Sequence, residues 1–436
     1  MSQQRITGAV VIPEPGVVIP DGEIVFSPAT GVIEHVGPSR GPAGPGDIDA
    51  GGRVMVPGFT NGHTHSAMTL LRGYSDDVPL HIWLGHVREF ELRMTTADIK
   101  AGLQLAMVEM LRSGTTAFVD MFHWDAELLA AVSEAGMRVN AAPAAFDYDA
   151  VGFPTASPLS GRELIDATPS LAAQFRGDPL VHVSYGLHAP YTCSAEMIAD
   201  VAGRAERDGL SIQIHLSETR REVDQSLAAH GVSPIRHVEN LGLFANQVHV
   251  AHAVHPIEGD VEILALAGAT VSHCPVSNLK LGAGIAPSVT YHEAGVTLAI
   301  GTDSVASNNN LDLFEELKTG IIVQRGLALD PNVLSGATVF GWATAGGAKA
   351  AAAGSAGRLA VGEQADLVLL DTTSDSGTPL NSAESFVHFA ARGSDVTDVF
   401  VAGRQVVAGR KVLTLDEEAV REDVRTRVAR IKSELV

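Results

Sequence analysis

Two histidines one residue apart close the stretch Val54-Met55-Val56-Pro57-Gly58-Phe59-Thr60-Asn61-Gly62-His63-Thr64-His65. In an extended backbone, side chains i and i+2 point to the same face, so both imidazoles can converge beyond the strand end. Neutral imidazole suits zinc and related transition metals. On its own the pair is also compatible with a polar turn in which each ring finds a hydrogen bond. Further apolar runs end the same way: Ser211–His215 in His215, Gln247–His252 in His252, Ala269–His273 in His273, and Thr297–Gly301 just before Asp303. Any one of the 17 histidines is accounted for by an ordinary hydrogen bond. Their concentration at strand ends is what calls for a metal.

His63, His65, His215 and Asp303 make a donor set of three nitrogens and one oxygen, leaving the open position that a catalytic metal keeps for water. The segment Val181–Tyr191 contains no lysine that could be modified to bridge two metals, so one metal per subunit is expected. Zinc is the first choice, and iron or manganese suit the same donors. Such a metal makes water nucleophilic near neutral pH. Asp303 could ligate and also accept the water proton, and His252 could orient the water. Glu218, three residues past His215, is placed to carry a proton to a ring nitrogen and on to a leaving group.

These residues need a scaffold that brings distant strand ends together. From Val54 to about Ala352, short apolar runs alternate with longer amphipathic ones, the pattern of a parallel α/β fold. Thr95-Thr96-Ala97-Asp98 reads as a helix start, followed by apolar residues at Ile99, Leu103, Ala106, Met107, Met110 and Leu111, with Gly114 as the stop. Counting the opening run through His65 as the first, eight strands result. The expected fold is α/β, a (β/α)₈ TIM barrel with chemistry at the C-terminal strand ends. Residues 1–55 and 354–436 are rich in short β-type runs and turns and are expected to form one small β-sandwich domain around a catalytic barrel of residues 56–353. The last stretch, Glu417 to Val436, reads as an exposed helix.

A net charge of −21 argues against nucleic acid and anionic membranes as partners. The N-terminus Met1-Ser2-Gln3-Gln4-Arg5 shows no signal-peptide pattern, and the two cysteines, Cys193 and Cys274, are far apart. A cytoplasmic protein acting on a small molecule is expected, with a homo-oligomer open.

The motifs Pro57–His65, His215-Leu216-Ser217-Glu218-Thr219, Ser272-His273-Cys274-Pro275-Val276-Ser277-Asn278 and Gly301-Thr302-Asp303-Ser304 resemble those of the amidohydrolase superfamily. Within it the chain is similar to the 5-methylthioadenosine/S-adenosylhomocysteine deaminases over essentially its whole length. That resemblance implies a mononuclear zinc site of His63, His65, His215 and Asp303, with Glu218 and His252 as catalytic groups. It further implies that Trp83 lines the substrate pocket, Glu91 binds ribose hydroxyls, His188 contacts the purine and Arg162 matches a substrate arginine. The implied reaction is hydrolytic deamination of an adenosine-type nucleoside (5′-methylthioadenosine, S-adenosylhomocysteine or adenosine). The alternative is another amino-heterocycle: guanine, a pterin, cytosine or a triazine. A scaffold that had lost its chemistry would show eroded ligands, and all are present. One departure stands out. Where members that accept a homocysteine carboxylate carry an arginine after the third strand, this chain reads Ala141-Ala142-Pro143-Ala144-Ala145-Phe146-Asp147, and Ala144 and Phe146 suit a compact neutral group.

Overall fold

The computed structural model describes residues 3–354 and 356–435; of the stretches read above, Met1, Ser2, Ser355 and Val436 lie outside them. Strands β1 (Phe59–Thr64), β2 (Thr115–Phe122), β3 (Arg138–Ala145), β4 (Tyr185–Leu187), β5 (Ile212–Leu216), β6 (Val248–His252), β7 (Thr270–His273) and β8 (Thr297–Ile300) pair in sequence order. All these pairings are parallel. Every residue of β2 and β3 is buried, as expected of a parallel sheet covered on both faces. The expected fourth strand, Val181–Ser184, is interrupted. Val181–Val183 pairs with the start of β3, and after Ser184 the chain resumes as β4, which bridges β3 and β5.

The barrel closes between β8 and β1 through side-chain bonds and one backbone bond rather than a ladder. Asn61 Nδ2 donates to Thr302 Oγ1 at 2.7 Å, Thr302 N–H returns a bond to Asn61 Oδ1 at 3.0 Å, and Asp303 N–H donates to the His63 carbonyl at 2.9 Å. The approach demands glycine at position 62, where a Cβ would lie 2.5 Å from Ser272 Oγ and 2.7 Å from Ala299 Cβ. This seam sets His63 beside Asp303.

Among the helices are α1 (Leu80–Glu91), α2 (Thr96–Arg112), α3 (Arg220–His230) and α4 (Glu417–Leu435), of which α1 reaches the site. The expected start of α2 is present as a capping box between Thr95 and Asp98, and its predicted apolar positions are buried. The terminal helix differs from expectation. Val420, Val424 and Ile431 give α4 a narrow buried stripe, and Arg427 and Arg430 donate to the buried Asp98 carboxylate at 3.2 and 2.6 Å. A helix with few apolar residues is thereby docked through one face.

Both chain ends build a second sheet. Its strand order is Lys411–Val412, Arg404–Ala408, Val396–Val401, Leu367–Asp371, Arg53–Pro57, Gln4–Val11, Ile19–Phe26, Ile33–Pro38. An isolated bridge between Val32 and Gln364 brings the far edge back beside the segment that enters Leu367–Asp371. Where a two-layer sandwich is expected, the chain ends form one sheet with its own core, including Ile6, Ile24, Phe26, Met55, Leu367 and Phe400. The opening run Val54–Val56 belongs here and not to the barrel, because Arg53–Pro57 pairs antiparallel with Leu367–Asp371. The first barrel strand begins only at Phe59, after Pro57-Gly58 has turned the chain; a Cβ on Gly58 would stand 2.3 Å from Thr116 Oγ1. Among the described residues, no helix is long and apolar enough to cross a membrane.

Candidate active site

β1, β5 and β6 deliver their last residues, and β8 the turn after it, to one end of the barrel. His63 and His65 converge as their spacing predicts, with ring centroids 4.8 Å apart, and His215 lies at the same distance from His63. Asp303 Oδ1 stands 3.5 Å from His63 Nε2 and 3.3 Å from His65 Nε2. One atom each from His63, His65 and Asp303 falls within 4.8 Å of the others, and the same holds for His63, His215 and His252.

The outer hydrogen bonds decide what faces inward. His65 Nδ1 lies 2.5 Å from the Met121 carbonyl, and His215 Nδ1 lies 2.7 Å from the His188 carbonyl. A carbonyl only accepts, so both Nδ1 atoms carry the proton, and in the neutral rings both Nε2 atoms present lone pairs. Those two lone-pair nitrogens face each other at 3.3 Å. The buried Nε2 of His63 has no hydrogen-bond partner. Acceptors crowded together without a proton between them, beside a carboxylate, fit a bound cation and little else. A nitrogen-rich set of this kind suits zinc.

The electrostatics agree. Burial foremost drives His63 down to about 3 and His215 well below the usual imidazole range, keeping both rings neutral. Burial by itself would raise Asp303, but the closely placed imidazoles of His63, His252 and His65 hold it well below the carboxylate range. His252 is pulled down by burial and up by the Glu218 and Asp303 charges, with a net rise, and its Nδ1 lies 2.9 Å from Asn278 Oδ1. Glu218, also buried, is raised chiefly by desolvation.

A cavity of 590 Å³ opens over these groups, within the range of small-molecule sites. His65, His215, His252, Asp303 and Glu218 line it together with Trp83, Glu91 and His188. Positions 83, 87 and 91 lie on one face of α1 by helical spacing, which carries Trp83 and Glu91 to the cavity together. Trp83 is buried, its Nε1–H donating to the Ala306 carbonyl at 3.3 Å. Burial pushes the Glu91 carboxyl up to about 7, against the opposing charge of Arg88. His188 follows β4, its Nδ1 2.8 Å from Thr192 Oγ1, and burial lowers its pKa to about 3.

Arg162 stands apart from the lining. Its guanidinium lies over the Tyr148 ring, 3.7 Å from the centroid. The arginine that does reach the cavity is Arg88 on α1, unmarked in the sequence because no motif surrounds it. It donates to the Val151 carbonyl at 3.1 Å and also to that of Gly152, pinning the loop after β3. Ala144, Phe146, Ala150, Val151 and Phe153 complete an apolar wall there.

A parallel barrel that gathers metal donors at the C-terminal ends of its strands has the arrangement of a metal-dependent enzyme. A sequence profile of the amidohydrolase family matches residues 54–406, and the chain belongs to that family. It is 39% identical to the 5-methylthioadenosine/S-adenosylhomocysteine deaminase of Pelotomaculum thermopropionicum over an alignment of 441 residues covering 99% of each chain. Against the 5′-deoxyadenosine deaminase of Methanosarcina barkeri it is 39% identical over 394 residues, 90% of each chain. Among solved structures, an adenosine deaminase from Xanthomonas campestris with bound zinc superposes with a TM-score of 0.93 at 33% identity, covering 99% of this chain and 98% of that one.

Proposed function

We propose that the protein is a zinc-dependent deaminase that converts a 5′-substituted adenosine to the inosine analogue and ammonia. The observation carrying this reading is that one cavity is lined both by His65, His215 and Asp303 of the metal donors with Glu218 and by the α1 face bearing Trp83 and Glu91. A purine at the strand ends would leave its sugar within reach of α1. The relatives named for adenosine-type deamination, matched over nearly their whole length, support the same substrate class.

His63, His65, His215 and Asp303 would hold the zinc, which when bound supplies Lewis-acid activation of water. Water adds to C6 of the purine. Asp303, close to the imidazoles, accepts the proton that water loses. Glu218, whose protonated form burial favours, delivers a proton to N1; Asp303 passes the proton it accepted to the C6 amine, which leaves as ammonia, and the C6 hydroxyl returns a proton to Glu218 as the C6 carbonyl forms. His252, oriented by Asn278, hydrogen-bonds the attacking oxygen. His188 faces the base as a neutral ring, and the Glu91 carboxylate accepts from the ribose hydroxyls.

The 5′ end of the nucleoside would lie against Ala144, Phe146 and Phe153. Arg88 already serves two carbonyls there, and Asp147 adds a negative charge to the lining. A desolvated carboxylate needs a partner, so a neutral methylthio or hydrogen substituent fits better than a homocysteine tail. Ammonia release from 5′-methylthioadenosine, 5′-deoxyadenosine, S-adenosylhomocysteine, adenosine and guanine tests both levels. The first two should lead. A clear preference for S-adenosylhomocysteine would overturn the tail assignment, and activity on guanine alone would overturn the nucleoside assignment.

A further inference from the structure

Glu222, on the first turn of α3, is buried to 6% exposure. Its carboxylate turns back toward the end of β5: Oε1 accepts the Ser217 N–H and Oε2 the Glu218 N–H, each at 2.8 Å. An ordinary capping box would send this side chain to the N–H of the helix cap. Here the cap is Thr219, whose hydroxyl oxygen accepts the Glu222 N–H at 3.2 Å, while the Glu222 carboxylate reaches past it to the two preceding residues. The turn is held in an unusual shape. Ser217 has φ +52°, a left-handed conformation that a residue with a Cβ keeps only when its surroundings enforce it. That conformation sets the direction in which Glu218 leaves the backbone.

We propose that Glu222 is a positioning residue for Glu218: by binding two consecutive backbone N–H groups it fixes the Ser217–Glu218 peptide and aims the Glu218 side chain into the cavity. This rests on Glu218 acting as the proton carrier. Two donors converging on one carboxylate require both oxygens to be acceptors. A glutamine of the same shape has one acceptor and turns its NH₂ toward the second N–H. Glu222→Gln should therefore rotate the peptide while leaving the cavity wall and metal donors in place.

The test compares Glu222→Gln, Glu222→Asp, Thr219→Ala and Glu218→Gln as metal-loaded full-length proteins. Glu222→Gln should lower kcat by about 10- to 100-fold, the scale of a small misplacement of a reacting group. KM should stay within about threefold and metal content should match wild type. Glu222→Asp, which keeps two acceptor oxygens, should recover part of the loss. Thr219→Ala removes the cap of the same helix but not the two Glu222 bonds, and should keep kcat near wild type. The proposal is overturned if Glu222→Gln keeps wild-type kcat, or if Thr219→Ala loses as much. It is equally overturned if Glu222→Gln and Glu222→Asp both fail to fold, since the residue would then serve folding alone. Wild-type turnover in Glu218→Gln would instead remove the proton carrier, a separate failure of the underlying reading.

Discussion

Glu91 gives the sharpest quantitative expectation. Its carboxyl is lifted from an ordinary 4.5 to about 7, mainly by burial against the α1 wall. That displacement corresponds to about 3 kcal/mol in favour of the neutral form, an upper limit because part of the side chain meets solvent. The folded chain holds this proton more tightly than the unfolded chain, so the group lowers stability as pH rises from 4.5 to about 7. Binding has the opposite sign. A carboxylate accepts from two ribose hydroxyls more strongly than a neutral acid does. With a pKa near 7, only about one-tenth of the free enzyme is ionised at pH 6, so kcat/KM should rise about tenfold between pH 6 and pH 8. In Glu91→Gln this component disappears and the plateau drops. The assay is ammonia release at subsaturating 5′-methylthioadenosine, wild type and variant side by side, with both profiles expressed as a ratio. Titration of groups common to both proteins cancels in that ratio. A ratio that stays constant from pH 6 to 8 would refute the role given to Glu91.

Other expectations concern the metal site and the terminal helix. Glu218→Gln should retain metal yet lose about 10²- to 10⁴-fold in turnover, the usual contribution of general acid–base catalysis; turnover within a few-fold of wild type at equal metal content contradicts it. His65→Ala should lose metal and activity together by elemental analysis and ammonia release, and a fully loaded variant would remove His65 from the donor set. Asp98→Asn keeps an oxygen for the α2 cap but loses the charge facing Arg427 and Arg430, and should cost about 2 kcal/mol in thermal unfolding. Burial opposes the ionised form of Asp98, but Thr95 and the two arginines hold its pKa below the ordinary carboxylate value. This contribution is therefore present at neutral pH and lost as pH falls through that depressed value; an unchanged melting temperature at pH 7 would refute it.

The strand-end donors were legible in the sequence because each sits in a local motif whose geometry depends only on its own strand. His63 and His65 converge by alternation alone, and the barrel order then brings His215, His252 and Asp303 to the same end. Val54–His65 reads as a single strand although Val54–Val56 belongs to the second sheet, because an apolar run buried in either sheet looks the same; the partner of Val54–Val56, Leu367–Asp371, lies far away in sequence. Arg88 escaped notice because its role depends on where α1 lies and on bonds to loop carbonyls. Glu222 escaped for a related reason: its partners are backbone N–H groups, which carry no residue signature. Arg162 was attractive by position but is stacked on Tyr148, a contact created by the loop after β3.

The pairing of Arg53–Pro57 with Leu367–Asp371 has a consequence for biosynthesis. The strand that leads directly into β1 emerges from the ribosome long before its antiparallel partner exists. At ordinary elongation rates that interval is on the order of tens of seconds. Throughout it, Val54, Met55 and Val56 present an unpaired apolar edge of the kind that recruits other chains. Yield in a heterologous host should therefore depend on chaperone supply during translation more than on the stability of the finished protein.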